Sequence, residues 1–295
     1  MGCCIKTEMK KLADNSLFWI CLGIGTIFVL MSALYTGQLY YSELGSGGIL
    51  AVLESSNTES KENILAMQTL YNSWIGADKQ SMGAAMFYLL SPLIAALPFG
   101  WHFSEELHSG YLHVAVPFSG RRYYFITKLL VSFFGGGMLL VLPQLFSVLI
   151  TALYVPAIKP SVIYSPYTAI IHGDMFAELF YTHPLGYIMV VLAIDLVFGG
   201  LFAWLSLATA FFVHSRLVTV IAPMLLILLA DSAKTCLYYI SYIEISPLNL
   251  LHPMSAPNYV KGWVVLIWIL FLSTITSSIV LIRGCRREIF LAGQI

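Results

Sequence analysis

Charged residues are scarce in this sequence of 295 residues. Asp, Glu, Lys and Arg make up only 10% of it, whereas 59% is hydrophobic and the mean hydropathy is +0.83. A soluble domain carries about 25% charged residues, so this composition indicates a polytopic membrane protein. The formal net charge is +0, which argues against the basic face that a general nucleic-acid binder needs to neutralise phosphates. We therefore expect the lipid bilayer, and no nucleic acid, among its partners.

Several catalytic motifs are missing as well. No G-x-x-x-x-G-K-[ST] loop occurs, so the chain has no phosphate cradle of the Walker type. No H-E-x-x-H motif occurs, and His102, His108 and His113 lack a spacing that would place two imidazoles on one metal. The pair Glu105-Glu106 resembles the paired glutamates of prenyl-protease-like membrane enzymes, but the arginine expected shortly after it is absent. We expect no enzyme activity in this chain, and an intramembrane protease is a remote alternative.

Cysteine is rare, and its spacing builds no site. The five cysteines lie near the termini or in apolar runs, at Cys3, Cys4, Cys21, Cys236 and Cys285. These positions form neither a zinc site nor a disulfide framework. Other metal-binding side chains occur close together at His172, Asp174, Glu178 and His183. Their spacing matches no metal site, so we expect a solvent-facing loop and no metal or cofactor in this chain.

Long apolar runs dominate what the sequence does contain. Six can be marked, at 16–35, 82–101, 123–154, 186–213, 217–239 and 262–282. Each is long enough to cross a bilayer as a helix, and none shows the period-two alternation of a barrel strand. A backbone exposed to lipid must satisfy its hydrogen bonds within its own segment. We therefore predict an all-α protein whose six transmembrane helices form a single transmembrane domain over 1–295.

Glycine and proline stand at a few positions inside these runs. Gly135, Gly136 and Gly137 are consecutive in the third run, and Pro143 and Pro223 lie within the third and fifth. Small residues let helix backbones approach closely in a membrane, and proline kinks helices. We expect close packing or a kink at these positions.

The basic residues fall mainly on one side of the six-helix topology. That side holds Lys6, Lys10, Lys11, Arg121, Arg122, Lys128, Arg216, Arg283, Arg286 and Arg287. The other side holds Lys61, Lys79, Lys159 and Lys261. Because cytoplasmic loops carry the excess of Lys and Arg, both termini and the segment 102–122 are predicted to be cytoplasmic.

Two segments outside the runs are predicted to contain helices. Residues 4–15 carry Ile5, Met9 and Leu12 at helical spacing beside lysines, which is typical of an amphipathic helix on the inner membrane surface. The extracellular loop 37–81 contains a capping box before a second apolar stripe. That stripe consists of Ile64, Met67, Tyr71 and Trp74. We expect an amphipathic helix there whose apolar face packs on the spans or enters the outer leaflet.

The segment 102–122 is a polar interruption between two apolar runs. Acids come first, then a glycine, an apolar stretch, a proline and serine, and a basic pair directly before the third run. The residues are Glu105, Glu106, Gly110, Tyr111, Leu112, Pro117, Ser119, Arg121 and Arg122. This order resembles the cytoplasmic segment between spans two and three in permease subunits of ABC transporters of the exporter class (ABC type 2).

The resemblance implies a function for the whole chain. In that family the segment contains a coupling helix seated on a separate cytoplasmic ATPase subunit, which binds ATP and Mg²⁺. Two permease units, identical or paralogous, then form a dimer that exports a substrate. For a chain of this compact size the resemblance implies a bacterial plasma membrane and a peptide-like or amphiphilic substrate. The alternative class is an ATP-independent membrane channel or an assembly scaffold.

Ionisable residues inside the runs are candidates for the translocation path. Asp195 lies near the middle of the fourth run, and Asp231 and Lys234 lie one helical turn apart in the fifth. A charge at the bilayer centre costs on the order of 2.5–3.5 kcal/mol, so such residues usually face partners or a wet cavity. Asp231 and Lys234 can neutralise one another. A locally neutralised pair inside the bundle is therefore as well supported as a place on the translocation path. Asp195 has no such neighbour and is the better path candidate.

Overall fold

The structure is a computed structural model, and it describes residues 2–45, 69–109, 111–112, 120–160, 170, 174–237, 243–256 and 258–285. Within these residues ten α-helices have bounds that can be given, and residues 111–112 are also helical. The ten helices are α1 (Gly2–Ala13), α2 (Ser16–Gly45), α3 (Leu70–Ser73), α4 (Met82–His108), α5 (Arg121–Thr151), α6 (Ala177–Thr182), α7 (Pro184–Ala210), α8 (Arg216–Leu237), α9 (Pro247–Leu251) and α10 (Gly262–Cys285). Six of them, α2, α4, α5, α7, α8 and α10, are long and apolar enough to cross a membrane. The described residues hold no β-structure beyond an isolated bridge between Ile243 and Tyr259, and the predicted all-α polytopic fold is confirmed.

Two long helices extend well beyond the apolar runs that predict them. α2 continues to Gly45, past the run that ends at 35, and α4 continues to His108, past the run that ends at 101. An apolar run marks the part of a helix that suits lipid, whereas helical hydrogen bonding continues through polar residues that find partners of their own. Residues 102–108, the start of the predicted polar interruption, are therefore the C-terminal part of α4.

Two of the prolines inside the long helices leave carbonyls that neighbouring hydroxyls satisfy. Pro92 of α4 has no N–H for the carbonyl four residues earlier. The hydroxyl of Ser91 donates to that carbonyl at 2.7 Å. In α8, Pro223 likewise cannot donate to the carbonyl of Thr219, which accepts from the hydroxyl of Thr209 on α7 at 3.2 Å. The helices thus continue through these prolines without leaving those acceptors unsatisfied.

α7 lies at the centre of the bundle, where it packs against α4, α5, α8 and α10. Its approach to α5 depends on glycine. A Cβ atom on Gly136 would lie 2.6 Å from the carbonyl oxygen of Gly199, and a Cβ atom on Gly137 would lie 2.5 Å from that of Leu196. Close packing was expected at this glycine run, and the structure places α7 against it.

The bundle has two ends, which we name by their elements. The α1 end holds α1, the C-terminal part of α4 and the first turns of α5 and α8. The far end holds α3, α6, α9 and the loops beside them. There, Asp78 accepts hydrogen bonds from the N–H of Ser81 at 3.1 Å and from the hydroxyl of Ser32 at 2.5 Å, which joins α2 to the start of α4. The ring of His252 stacks on Tyr88 of α4, with the ring centroids 4.3 Å apart.

Both helices predicted outside the spans are partly described. The helix expected over 4–15 is present as α1, which packs on α5. Its buried face includes Glu8, whereas Met9 of the apolar stripe is 48% exposed. In the loop 37–81, Ile64 and Met67 lie outside the described residues. Tyr71 and Trp74 are buried, so this part of the stripe packs on the bundle.

Candidate functional site

Four charged side chains meet at the α1 end and form a closed ring. Glu8 and Lys11 stand one turn apart on α1, Glu106 lies near the end of α4, and Lys128 lies on α5. Lys11 donates to Glu8 and to Glu106, each at 2.9 Å. Lys128 donates to Glu8 at 2.9 Å and to Glu106 at 2.5 Å. Negative and positive charges therefore alternate, and we call these four residues the ion-pair ring.

Three of the four side chains of the ion-pair ring are largely shielded from water, whereas that of Lys11 is 36% exposed. The side chains of Glu8 and Lys128 are each 9% exposed and that of Glu106 is 12% exposed. Burial alone would lower the pKa of Lys11, but the carboxylates of Glu106 and Glu8 outweigh it and hold this pKa above its ordinary value. Removing one partner from a buried ion pair costs about 3–5 kcal/mol, because the other charge is left uncompensated. The ring thus fixes α1 to α4 and α5 at once.

Aromatic side chains complete the surroundings of the ring. The hydroxyl of Tyr124 on α5 donates to Glu106 at 2.9 Å. The ammonium of Lys11 lies 4.3 Å from the ring centroid of Tyr111, which follows α4 in the chain. α4 and α5 are the two helices that flank residues 109–120, so both ends of this segment are attached to the ring.

Glu105 has different surroundings from its neighbour Glu106. Its carboxylate lies 3.2 Å from Nη1 of Arg216 at the start of α8 and 3.8 Å from Nδ1 of His102, and its side chain is 44% exposed. The guanidinium of Arg216 also lies 6.0 Å from the ring centroid of Trp101. Exposed pairs of this kind stabilise a protein by about 0–1 kcal/mol. Glu105 is therefore free to exchange its partner, whereas Glu106 is held within the bundle.

The structure separates the residues that the sequence groups into one coupling surface. Of the acids, only Glu105 faces outward. Leu112 is buried and Tyr111 is 39% exposed, while Arg121 and Arg122 begin α5. Gly110, Pro117 and Ser119 lie outside the described residues. Of the segment expected to form the coupling helix, Tyr111 and Leu112 are described and are helical, whereas 113–119 are outside the described residues.

The path candidates do not share one site. Asp195 is fully buried, and its carboxylate accepts a hydrogen bond of 2.6 Å from the side-chain amide of Gln144 on α5. Asp231 is half-buried on α8, and the side chain of Lys234 is outside the description. Asp195 thus faces α5 rather than open water in this conformation, and its place beside a translocation path stays a prediction.

Sequence reasoning missed several members of the site. Glu8 and Lys11 are assigned to no functional site by the sequence, although a lone acid among the lysines of an amphipathic helix is a usable signal. Lys128 belongs to the segment that carries the family resemblance, but its pairing with Glu8 and Glu106 is not predicted. Gln144 was also missed as the partner of Asp195. Nothing in local spacing pairs these positions, because Lys11 and Glu106 are 95 residues apart in the chain.

The four side chains of the far side whose types could bind a metal are only partly described. His172 lies outside the described part of the chain, whereas Asp174, Glu178 and His183 lie within it. No group of three or more His, Cys, Asp or Glu side chains there is arranged to hold a metal ion.

Comparison of the chain with known protein families, with curated proteins and with solved structures finds no match.

Proposed function

We propose that this chain is the membrane-spanning permease subunit of an ATP-driven exporter of ABC type 2, served by a separate cytoplasmic ATPase. The observation that supports this most is the ion-pair ring, which ties α1 to the two helices on either side of residues 109–120. A segment that receives force from a partner needs rigid attachment at both of its ends. An ordinary solvated loop between two spans has no need of it.

The ring supplies a physical route for that force. α4 packs against α2, α7 and α8, and α5 packs against α7. When the ATPase subunits close, displacement of residues 109–120 would move α4 and α5 together, because the buried charges resist separation. The motion then reaches the centre of the bundle and opens a path between this chain and a second permease, identical or paralogous. The expected substrate is a peptide-like molecule or another amphiphile.

Glu105 is the acid that we assign to the ATPase surface. It is exposed at the α1 end, and its pairing with Arg216 is of the weak, exchangeable kind. Glu106 instead holds the segment to the ring. This division changes the sequence-based hypothesis, in which both acids contact the ATPase.

The competing function is a channel or scaffold that uses no ATP, and a purification separates the two. The tagged chain, extracted from its native membrane, should bring with it a chain that carries a P-loop and hydrolyses ATP. Glu105→Lys should reduce this association and substrate-stimulated hydrolysis, because it reverses the charge of the docking surface. Glu178→Lys is the matched control, since Glu178 is equally a surface acid but lies at the far end.

Two outcomes contradict the proposal. The first is a wild-type chain that copurifies with no ATP-hydrolysing subunit yet remains folded, which would favour the channel or scaffold. The second is Glu105→Lys with full assembly and full hydrolysis, which would remove Glu105 from the docking surface.

A further inference from the structure

A large cavity opens at the α1 end, beside the ion-pair ring. It has a volume of about 1060 Å³ and lies between α1, the start of α2, α4, α5 and the start of α8. Pockets that bind small molecules usually measure about 300–1,000 Å³, so this one accommodates an alkyl chain together with its head group.

One wall of the cavity is apolar. α4 contributes Leu93 and Leu97, α8 contributes Leu217 and Ile221, and the first turn of α2 contributes Leu17. Leu217 is 61% exposed and Ile221 is 43% exposed, so the α8 wall forms an open side of the cavity. Both residues belong to a helix apolar enough to span the bilayer. A hydrocarbon chain can therefore enter sideways from the lipid and bury its surface against these side chains.

The other part of the lining is polar and carries more acids than bases. Four carboxylates, from Glu8, Asp14, Glu105 and Glu106, face two lysines, Lys11 and Lys128. The ion-pair ring balances two of these acids against the two lysines. Glu105 is paired with Arg216, which lies outside the lining. Asp14 is therefore the one carboxylate of the lining that has no ion pair within the described part of the chain.

Aromatic faces stand beside these acids. Trp101 and Tyr111 both line the cavity, and each already lies near a cationic side chain, Arg216 and Lys11 respectively. Carboxylates next to aromatic faces attract substituted ammonium groups through charge and cation–π interaction. An anionic head group would instead be repelled by the carboxylate of Asp14.

We propose that this cavity binds a cationic amphiphile, with its hydrocarbon chain against α4 and α8 and its ammonium group beside Asp14 and Trp101. This inference rests on the proposed function in one respect only. If the chain is an exporter, the cationic amphiphile is the class of substrate that it collects from the inner leaflet. Binding itself needs no ATPase.

The test uses the purified full-length chain in lipid nanodiscs, without any ATPase. The probe is a dodecyltrimethylammonium ion with a photoreactive diazirine in its chain, and labelled peptides are identified by mass spectrometry. Dodecyl sulfate and dodecyl maltoside with the same diazirine serve as head-group controls. We expect saturable labelling of α4 and α8 by the ammonium probe, stronger than by either control.

Two pairs of measurements locate the binding. Ile221→Trp should fill the cavity and weaken binding by roughly tenfold, which corresponds to the loss of about two buried methylene groups. Leu225→Trp, one turn further along α8 and outside the lining, should leave binding unchanged. Asp14→Asn should reduce the preference for the ammonium probe over the maltoside and leave maltoside labelling as it was.

Several results overturn the inference. Labelling of α10 equal to that of α4 and α8 would mean general partition into lipid. Equal loss of binding in Ile221→Trp and Leu225→Trp, or no loss in either, would place the site elsewhere, and saturable labelling by dodecyl sulfate would refute the charge class. No ATPase is present in this test, so a failure to bind the probe would overturn this inference without contradicting the proposed coupling to an ATPase. Normal binding of the probe by a chain that recruits no ATPase would contradict the proposed function and not this inference.

Discussion

Glu105 and Glu106 are neighbours in the chain but differ in what they contact. Glu106 accepts hydrogen bonds from Lys11, Lys128 and Tyr124, whereas Glu105 pairs with an exposed arginine. Successive residues on a helix lie about 100° apart around its axis, so one acid can face the bundle while the next faces outward. Glu106 therefore contacts the interior of the bundle, whereas Glu105 lies at its surface.

The first prediction concerns stability. Glu106→Gln keeps the shape of the side chain but leaves two lysines facing one carboxylate, so the free energy of unfolding should fall by about 3–5 kcal/mol. Glu105→Gln should change it by only about 0–1 kcal/mol, because its pair is exposed. Thermal unfolding of the purified variants compares them directly. The double variant Glu106→Gln/Lys128→Met should recover part of the loss, and equal destabilisation by the two single variants would rule out a buried ring.

A second prediction concerns Asp195. Its partner Gln144 donates a hydrogen bond that an asparagine carbonyl can also accept. Asp195→Asn should therefore fold normally, whereas Asp195→Leu leaves a buried amide without its acceptor and should cost about 1–3 kcal/mol.

The role of position 195 in transport can be tested by thiol accessibility. In a background without the native cysteines, Asp195→Cys should be protected from a water-soluble thiol reagent at rest, as its full burial implies. During ATP turnover it should become labelled if the path passes beside it. Protection in every nucleotide state would exclude Asp195 from the path.

At the scale of elements, the contact between α5 and α7 leaves no room for a side chain at Gly136. Gly136→Ala would bring a methyl group to 2.6 Å from the backbone oxygen of Gly199, which cannot rotate away. Overpacking of this kind costs about 1–3 kcal/mol. Gly23 of α2 has no atom within 4 Å of such a Cβ, so Gly23→Ala should instead stabilise the helix by about 0.5–1 kcal/mol. Thermal unfolding that moves in the same direction for both would contradict this assignment.

The far-end segment that carries His252 should make stability depend on pH. Burial, with a smaller contribution from Lys79, lowers the pKa of His252 from 6.5 to about 4, although Asp78 opposes the shift. Between these two pH values the unfolded chain binds a proton that the folded chain does not. Stability should therefore be complete above about pH 6.5 and fall by up to about 3 kcal/mol as the pH drops to 4.

Melting temperatures across this pH range provide the measurement. His252→Phe keeps a ring to stack on Tyr88 and removes the titrating group, so it should flatten the profile. His183→Gln removes an exposed histidine and should leave the profile as it is. A wild-type profile that is flat between pH 4 and 6.5 would show that His252 takes up its proton without opposing the fold.

The six long helices were predictable from the sequence because of the length of their apolar runs. An apolar run of about 20 residues has few alternatives to a membrane helix, so all six runs became helices. The glycine run predicted a close contact between helices, because small residues in a membrane helix let two backbones approach each other. Its partner Gly199 was not predictable, because helix order in the bundle is set by long-range packing. The ion-pair ring was not predictable for the same reason, because it forms only when α1 packs against α4 and α5.

At the scale of the whole molecule, most of the basic residues belong to one end. Lys11 and Lys128 sit in the ion-pair ring, Arg216 contacts Glu105, and Arg283 donates to the carbonyl of Phe211 at the end of α7, at 3.0 Å. Because Lys and Arg concentrate on the cytoplasmic side, we predict that this α1 end faces the cytoplasm. An ATPase contact at Glu105 requires that orientation, since ATP is available only there.

The last prediction tests this orientation with two single cysteines in a background without the native ones. Arg122→Cys places an exposed thiol at the α1 end, and Glu178→Cys places one at the far end. A thiol reagent that cannot cross membranes should label Glu178→Cys in intact cells and should label Arg122→Cys only after permeabilisation. The reverse pattern would turn the α1 end outward, where no ATPase can meet Glu105, and would remove the proposed function. Labelling of both positions in intact cells would mean that the chain between them does not cross the bilayer an odd number of times, which would refute the six-span topology.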